Sequence, residues 1–347
     1  MEKPQSKPLG ELELIDRIRR GSNRARNPSV ALGIGDDCAI LRPAAGYEIL
    51  VTTDFSLEGR HFRRDRHPPE SVGHRCLARG LSDLAAMGAM PLAAFLSLAL
   101  PSAMLSTRRG LDWVDRFFAG LHHLGDLHNV PLAGGDTSES PSDLILADIV
   151  LIGSAPRGRS LRRSGARPGD ALYVTGSLGG AAAELASLFT RRKPNPPVAN
   201  LADHPHLFPE PRLAVGQTLL RRRIATAAID VSDGISTDLT HLCQASKLRA
   251  EIDQTALPIH PLAKQLTPEQ ALKAALHGGE DYELLFAAPP AARVPRSVGG
   301  VPITRIGTLQ RPGSKKPIIT LAHPDGTRTA IQPGGWEHFS ASRKTVR

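Results

Sequence analysis

Apolar residues recur along the chain with two periods, and the period changes from segment to segment. ELELIDRIRR places Leu12, Ile15 and Ile18 on one face of a short helix. GIGDDCAIL and YEILVTTD then read as strands. After HPPE the spacing turns helical: Leu77, Leu81, Leu84 and Gly88 form one buried stripe. PLAAFLSLAL is a strand, a helix runs from about Leu111 to His128, and VPLAGGDT and LILADIVLIGSA return to strands. PRGRSLRRSGARPGD is polar, basic and carries Gly and Pro, so the domain boundary is expected there. Beyond it, strand ALYVTGS leads into helix AAAELASLF, followed by the Pro-rich loop RRKPNPPVANLADHPHLFPEP. Strand ATAAIDVSDG runs into helix DLTHLCQASK, with EIDQTALPI and YELLFAA as further strands. This alternation predicts α/β or α+β layers in each half.

A chain of 347 residues favours two domains. The expected division is a disordered lead at 1–10, an N-terminal domain at 11–155 and a C-terminal domain at 156–347. The apolar fraction of 41% is ordinary for a globular protein. No apolar run reaches the roughly 20 residues a membrane helix needs. The first residues lack a basic stretch followed by an apolar one, so no secretory signal is expected. Cys38, Cys76 and Cys243 stand far apart with no CxxC pair, which fits a reducing cytoplasm rather than a disulfide or zinc scaffold.

The net charge of +9 raises nucleic acid as a partner, because basic clusters release counterions from phosphate backbones. Aromatic residues make up only 4%, however, and none interleave with the basic runs, so base-stacking platforms are scarce. An anionic small substrate explains a basic cleft equally well.

Aspartates gather where strands end: Asp36 and Asp37 in GIGDD, Asp54 in VTTD, Asp136 in AGGDT, Asp230 and Asp233 in IDVSDG. Asp83 joins them from within a helix. One such loop taken alone reads as a turn, and Ser232 and Asp233 before a helix read equally as N-cap residues. Several carboxylates brought together would repel unless a cation held them. Magnesium takes oxygen ligands and bridges carboxylates to nucleotide phosphates, which is what phosphoryl transfer requires. Other signatures are set aside. GxxxxGK[ST] and the protein-kinase motifs are absent. TGSLGG reads as a tight strand-to-helix turn, and the scattered histidines lack zinc spacing.

Taken in order, GIGDDCAIL, TTDFSLEGRHF, LSDLAAMGAMP, AGGDT, LRRSGARPGD, IDVSDG and HGGEDYELLF resemble the thiamine-monophosphate kinase family. That family lies in a wider superfamily with aminoimidazole-ribonucleotide synthetase, selenophosphate synthetase and a hydrogenase maturation enzyme. GGEDYEL and GGWEHF favour the thiamine branch. The resemblance implies several magnesium ions on Asp36, Thr53, Asp54, Asp83, Asp136, Asp230 and Asp233. It implies ATP contacts at Thr52, Trp113, Gly135, Asp136, Arg163 and Ser232, and acceptor contacts at His61, Glu280 and Trp336. It also implies two α/β domains, the N-terminal one pairing with a second copy in a barrel-like homodimer core flanked by helices, the C-terminal one an α/β sandwich. Phe55 and Arg60 depart from the family pattern around TTD and HF. The expected activity is ATP-dependent phosphorylation of thiamine monophosphate to thiamine diphosphate. Two rivals remain: another superfamily enzyme, with selenophosphate synthesis disfavoured because Cys38 is expected inside a strand, and a basic nucleic-acid-binding protein.

Overall fold

The computed structural model describes residues 10–22, 27–35, 37–190, 201–312 and 318–336, without the side chains of Glu11, Leu12 and Ala202. The chain divides into two compact units. One holds residues 1–160 and 188–213; the other holds 161–187 and 214–347. Of the lead expected at 1–10, only Gly10 lies within the described residues.

The first unit opens with α1 (Glu11–Gly21) and the short strands β1 (Val30–Leu32) and β2 (Ile40–Leu41). Its main elements are β3 (Tyr47–Leu57), α2 (Pro69–Ala86), β4 (Met90–Leu100), α3 (Ser102–Leu105), α4 (Arg108–His128), β5 (Leu132–Glu139) and β6 (Leu146–Pro156). The four long strands form one sheet in the order β3-β6-β4-β5, with β4 and β5 parallel. Helix α2 packs on one face of it, and its stripe Leu77, Leu81 and Leu84 is buried as the periodicity predicts. A proline in its first turn suits the helix start, where the missing N–H has no partner to lose. Helices α2 and α4 approach closely through glycine: a Cβ at Gly73 would lie 1.8 Å from the Phe117 carbonyl oxygen.

The opposite face of this sheet is open, with apolar residues along β3 beside a polar row. Ile49, Val51 and Phe55 alternate along β3 on that side, with Val51 63% and Phe55 58% exposed. Within the single chain the sheet is an open four-stranded layer.

The second unit contains β7 (Ala171–Thr175), α5 (Gly180–Thr190, its last three residues in the other unit), α6 (Leu213–Arg221, its first residue in the other unit), β8 (Ala227–Val231), α7 (Ile235–Ser246), β9 (Arg249–Asp253) and α8 (Pro268–His277). Strands β10 (Glu283–Ala288), β11 (Ser297–Val298), β12 (Val301–Gln310), β13 (Ile319–Ala322) and β14 (Arg328–Ile331) follow. The sheet runs β14-β13-β9-β12-β7-β10-β8, with β11 beside β12. Strands β8 and β10 are buried along their whole length, so they read as continuous apolar runs rather than alternating ones. Ile235, Leu239 and Leu242 of α7 cover them in one core cluster.

Two expectations are corrected. GIGDDCAIL is not one strand: its described residues before Ile40 are irregular, and only Ile40 and Leu41 pair, with the chain just before it. Cys38 is therefore an exposed loop residue, not part of a strand. Helix α1 forms as the spacing predicts, and among its described side chains Leu14 is the one buried, at 3% exposure, with Ile15 and Ile18 partly covered.

Candidate active site

In the first unit the acidic residues lie along the seam between β3 and α2. Alternation on β3 turns Thr52 and Asp54 toward the helix and Thr53 away from it. The Thr52 hydroxyl donates to Asp83 Oδ2 at 2.5 Å, and the Arg79 guanidinium donates to Asp54 Oδ1 at 2.8 Å. Arg79 and Asp83 are four residues apart on α2, so they share one helical face and meet the strand together. Sequence reasoning passed over Arg79, whose position one turn before Asp83 was the available signal.

Thr53 faces the open side, where its hydroxyl donates to Asp148 Oδ1 at 2.8 Å. Pairing across the sheet sets Asp148 opposite Ser97, and Ser97 opposite Asp136. Residues in such a row point to the same face. Asp136 therefore stands on the face opposite Asp54 and Asp83, and is exposed. Gly135 just before it has φ +148, and a Cβ there would lie 2.0 Å from the Leu96 carbonyl oxygen, so AGGDT needs glycine at that point.

His61 follows the end of β3. Its Nδ1 accepts from the Leu57 N–H at 3.0 Å, which places the ring proton on Nε2 in the neutral form. An Nε2–H is a suitable donor to an anion. Arg60 beside it is exposed. Trp113 lies on α4 with its ring stacked on the buried Phe117, centroids 5.5 Å apart. Asp36 falls outside the described residues.

In the second unit three separate motifs meet at one turn, residues 232–234, between β8 and α7. The Glu280 N–H donates to the Ser232 carbonyl at 2.7 Å, and the Tyr282 N–H to the Val231 carbonyl at 2.9 Å. The Trp336 N–H donates to the Asp233 carbonyl at 3.2 Å. Gly335 and Gly334, next to Trp336, bond the side chains of Thr237 and Ser236 in α7. Ser232, Asp233, Glu280 and Trp336, more than a hundred positions apart at the extremes, are thus neighbours.

Asp238, which the sequence reading did not single out, supports this turn from below. It is buried, and its Oδ2 accepts the Asp233 N–H at 3.1 Å. Burial, with the negative charges of Asp230 and Asp233, pushes its carboxyl up to about 8, against the pull of that hydrogen bond and the Arg163 guanidinium. Its signal was position: an aspartate in the first turn of a helix that follows DVSDG. TGSLGG forms the β7–α5 turn, as its glycines predict, with Gly176 and Gly179 at positive φ. At its end and in the first turn of α5, Asp281 takes two N–H groups: its Oδ2 accepts from Gly179 N–H at 2.6 Å and its Oδ1 from Ala181 N–H at 3.1 Å.

Within the described residues of each unit, no three carboxylate, histidine or cysteine side chains converge as a ready metal cage. The candidate donors are all oxygens, the type magnesium prefers, and the negative charges of Asp230 and Asp233, which add to burial in raising Asp238, are of the kind a cation offsets. In chemical type the residues fit that ion.

Family models define the class. The AIR synthase related protein N-terminal domain matches residues 35–155, and the corresponding C-terminal domain matches residues 167–319. The thiamine-monophosphate kinase of Escherichia coli (strain K12) is 39% identical over 345 residues, covering 95% of this chain and 98% of that protein. That of Bacillus subtilis is 32% identical over 339 residues, covering 95% and 100%. Among solved structures, thiamine-monophosphate kinase from Stenotrophomonas maltophilia K279a has a TM-score of 0.75 at 36% identity, covering 92% of this chain and 98% of that one. The structure titled AaThiL complexed with AMPPCP and TMP has 0.72 at 30%, covering 95% and 97%. A hydrogenase maturation protein, HypE in complex with ATP, shares the fold at 0.73 with 17% identity, covering 93% of this chain and 94% of that one. The chain belongs to the thiamine-monophosphate kinase family, as its seven ordered motifs indicated.

Proposed function

We propose that this chain transfers the γ-phosphoryl group of ATP to thiamine monophosphate, yielding thiamine diphosphate. The observation that carries the reading is the meeting of Glu280 and Trp336 at the Ser232–Asp233 turn, where an acceptor-binding pair adjoins residues assigned to nucleotide and metal. Trp336 offers an aromatic face to the cationic thiazolium or the pyrimidine ring, Glu280 accepts from the aminopyrimidine, and His61 donates through Nε2 to the acceptor's phosphate. Thr52, Trp113, Gly135, Asp136, Arg163 and Ser232 are assigned to ATP.

The transfer is direct and in line. A terminal phosphate oxygen of the acceptor attacks the γ-phosphorus, the bond to the β-phosphate bridging oxygen breaks, and ADP leaves. A phosphate monoester is largely deprotonated near neutral pH, so no general base or phosphoenzyme nucleophile is assigned. Several magnesium ions would be held by Asp36, Thr53, Asp54, Asp83, Asp136, Asp230 and Asp233, with Asp54 and Asp83 on one face of the first sheet and Thr53 and Asp136 on the other, and when bound they would neutralise the charge of the two anions. Arg79 holds Asp54 in place meanwhile, and Thr52 holds Asp83.

The working form is a homodimer. The open face carrying Ile49, Val51 and Phe55 is apolar surface that a second copy would cover, completing a barrel-like core. The setting is the cytoplasm. Transfer from labelled ATP to a panel of thiamine, thiamine monophosphate and aminoimidazole precursors tests the activity. Labelling of thiamine monophosphate alone is expected; labelling of another acceptor in its place overturns the reading.

A further inference from the structure

The geometry points to Asp281 as a positioning residue for the acceptor: it pins the Gly278–Tyr282 turn to the amino end of α5 and thereby holds Glu280 in the conformation that meets the substrate. This inference rests on the assignment of Glu280 to the acceptor made above.

The turn is strained on both sides of Asp281. Glu280 has φ +67 and Tyr282 φ +50, left-handed conformations that side chains other than glycine disfavour. Such residues persist only where their surroundings over-determine them. Here the restraints are visible. The backbone N–H groups of Glu280 and Tyr282 are tied to the carbonyls of Ser232 and Val231. Between them Asp281 turns the other way, is 8% exposed, and takes one N–H of the β7–α5 turn on each carboxylate oxygen. A carboxylate accepting two such donors is a strong anchor. Glu283 continues the pattern, accepting from the Thr175 hydroxyl at 2.6 Å. Inward-facing Asp281 and Glu283 thus grip β7 and its turn, and half-buried Glu280 is left on the side of the Ser232–Asp233 turn, where Trp336 is also tied. The end of the glycine-rich turn and the start of α5 thus spend two N–H groups on the protein's own Asp281, and burial pushes that carboxyl up to about 7 against the pull of those hydrogen bonds.

Asp281→Asn removes this grip at little cost in volume, since an amide accepts one of the two N–H groups and turns an N–H₂ toward the other. The test is a double-mutant cycle with Glu280→Ala on the full-length chain, reading kcat and KM for both substrates and the melting temperature. Asp281→Asn is expected to lower kcat/KM for thiamine monophosphate by roughly ten- to a hundredfold, with the KM for ATP changed less than about twofold. In the Glu280→Ala background the same substitution is expected to change acceptor kcat/KM by less than about twofold. Full additivity of the two losses overturns the positioning role, as does an equal loss on both substrates with a lowered melting temperature. Asp281→Ser, whose hydroxyl still accepts one N–H, carries the same test if the asparagine variant does not fold. A wild-type chain inactive on thiamine monophosphate overturns the proposed function itself. Normal acceptor kinetics in Glu280→Ala overturn the Glu280 assignment and with it the inference about the turn, and leave the reaction itself standing.

Discussion

Asp83 is half-buried on α2, and Thr52 donates to its Oδ2. An asparagine there keeps the acceptor and the shape but not the charge. Asp83→Asn is therefore expected to fold normally, by circular dichroism, and to lose roughly a hundredfold or more in turnover, the scale of metal-linked charge stabilisation. Near-normal activity in a titration at low magnesium would remove Asp83 from the metal set. Trp336 tests the other half of the assignment. Its backbone is fixed by Asp233, so truncating the ring leaves the turn intact. Trp336→Ala should cost about 1–3 kcal/mol in acceptor use, taking base–aromatic stacking as a guide. That amounts to roughly ten- to a hundredfold in kcat/KM for thiamine monophosphate, with ATP affinity spared. Equal losses on both substrates, together with a lower melting point, would mean that the indole only packs the tail.

At the scale of elements, the segment 201–213 is held to the first unit by histidines. His206 lies 3.0 Å from His67 through their Nε2 atoms, and Arg75 donates to the His206 carbonyl at 2.6 Å. His74 of α2 donates from Nε2 to the Pro209 carbonyl at 2.8 Å, with its ring set edgewise against Phe208. Its Nδ1 is buried with no partner among the described residues, so a second proton there has no acceptor. Burial pushes the imidazole down to about 4, with His123 and Arg75 adding to the effect while the Pro209 bond and Glu210 oppose it. The unfolded chain takes up this proton near pH 6.5 and the folded chain does not, so stability is complete above that pH and falls on acidification toward pH 4. The loss from His74 should reach about 2 kcal/mol by pH 5. Urea unfolding between pH 7.5 and pH 5 should give a shallower decline for His74→Gln than for the wild type. Parallel curves would exclude His74 as the source.

The legibility of elements in the sequence followed their hydrophobic contrast. Strands β3, β4 and β6 and helices α2 and α4 have long, clean periods. The GIGDDCAIL segment misled because Ile34 and Cys38 supply apolar letters outside the short pairing of Ile40 and Leu41. Helix α6 was hidden behind a Pro-rich run, and the short strands β11, β13 and β14 lack a distinctive period. Within the site, Asp233 announced itself just past the end of β8, whereas Asp54 and Asp136, expected at strand ends, lie inside β3 and β5. Asp238 and Asp281 did not announce themselves, because a carboxylate that serves as an internal anchor is spelled the same way as a solvated one.

For the whole molecule, the open face of the first sheet makes the association state the natural test. Val51 and Phe55 are more than half exposed on an apolar layer, and partners of such a face lose affinity sharply when a charge is buried there. Light scattering should give about twice the chain mass of 37.1 kDa for the wild type and that mass for Val51→Lys. A wild-type monomer at micromolar concentration would exclude the dimer while leaving the chemistry intact.

The chain leaves the first unit at residue 160 and returns to it at 188–213. On the ribosome, that return reverses the simple order in which an N-terminal domain finishes before the next one begins. Arg75 and His67 are both buried against His206, and until residue 206 has been synthesised they wait without it. By then β7 and α5 have already been synthesised. The two units therefore mature in overlap, and a nascent chain cut short near residue 160 would hold an arginine and a histidine in a half-made core.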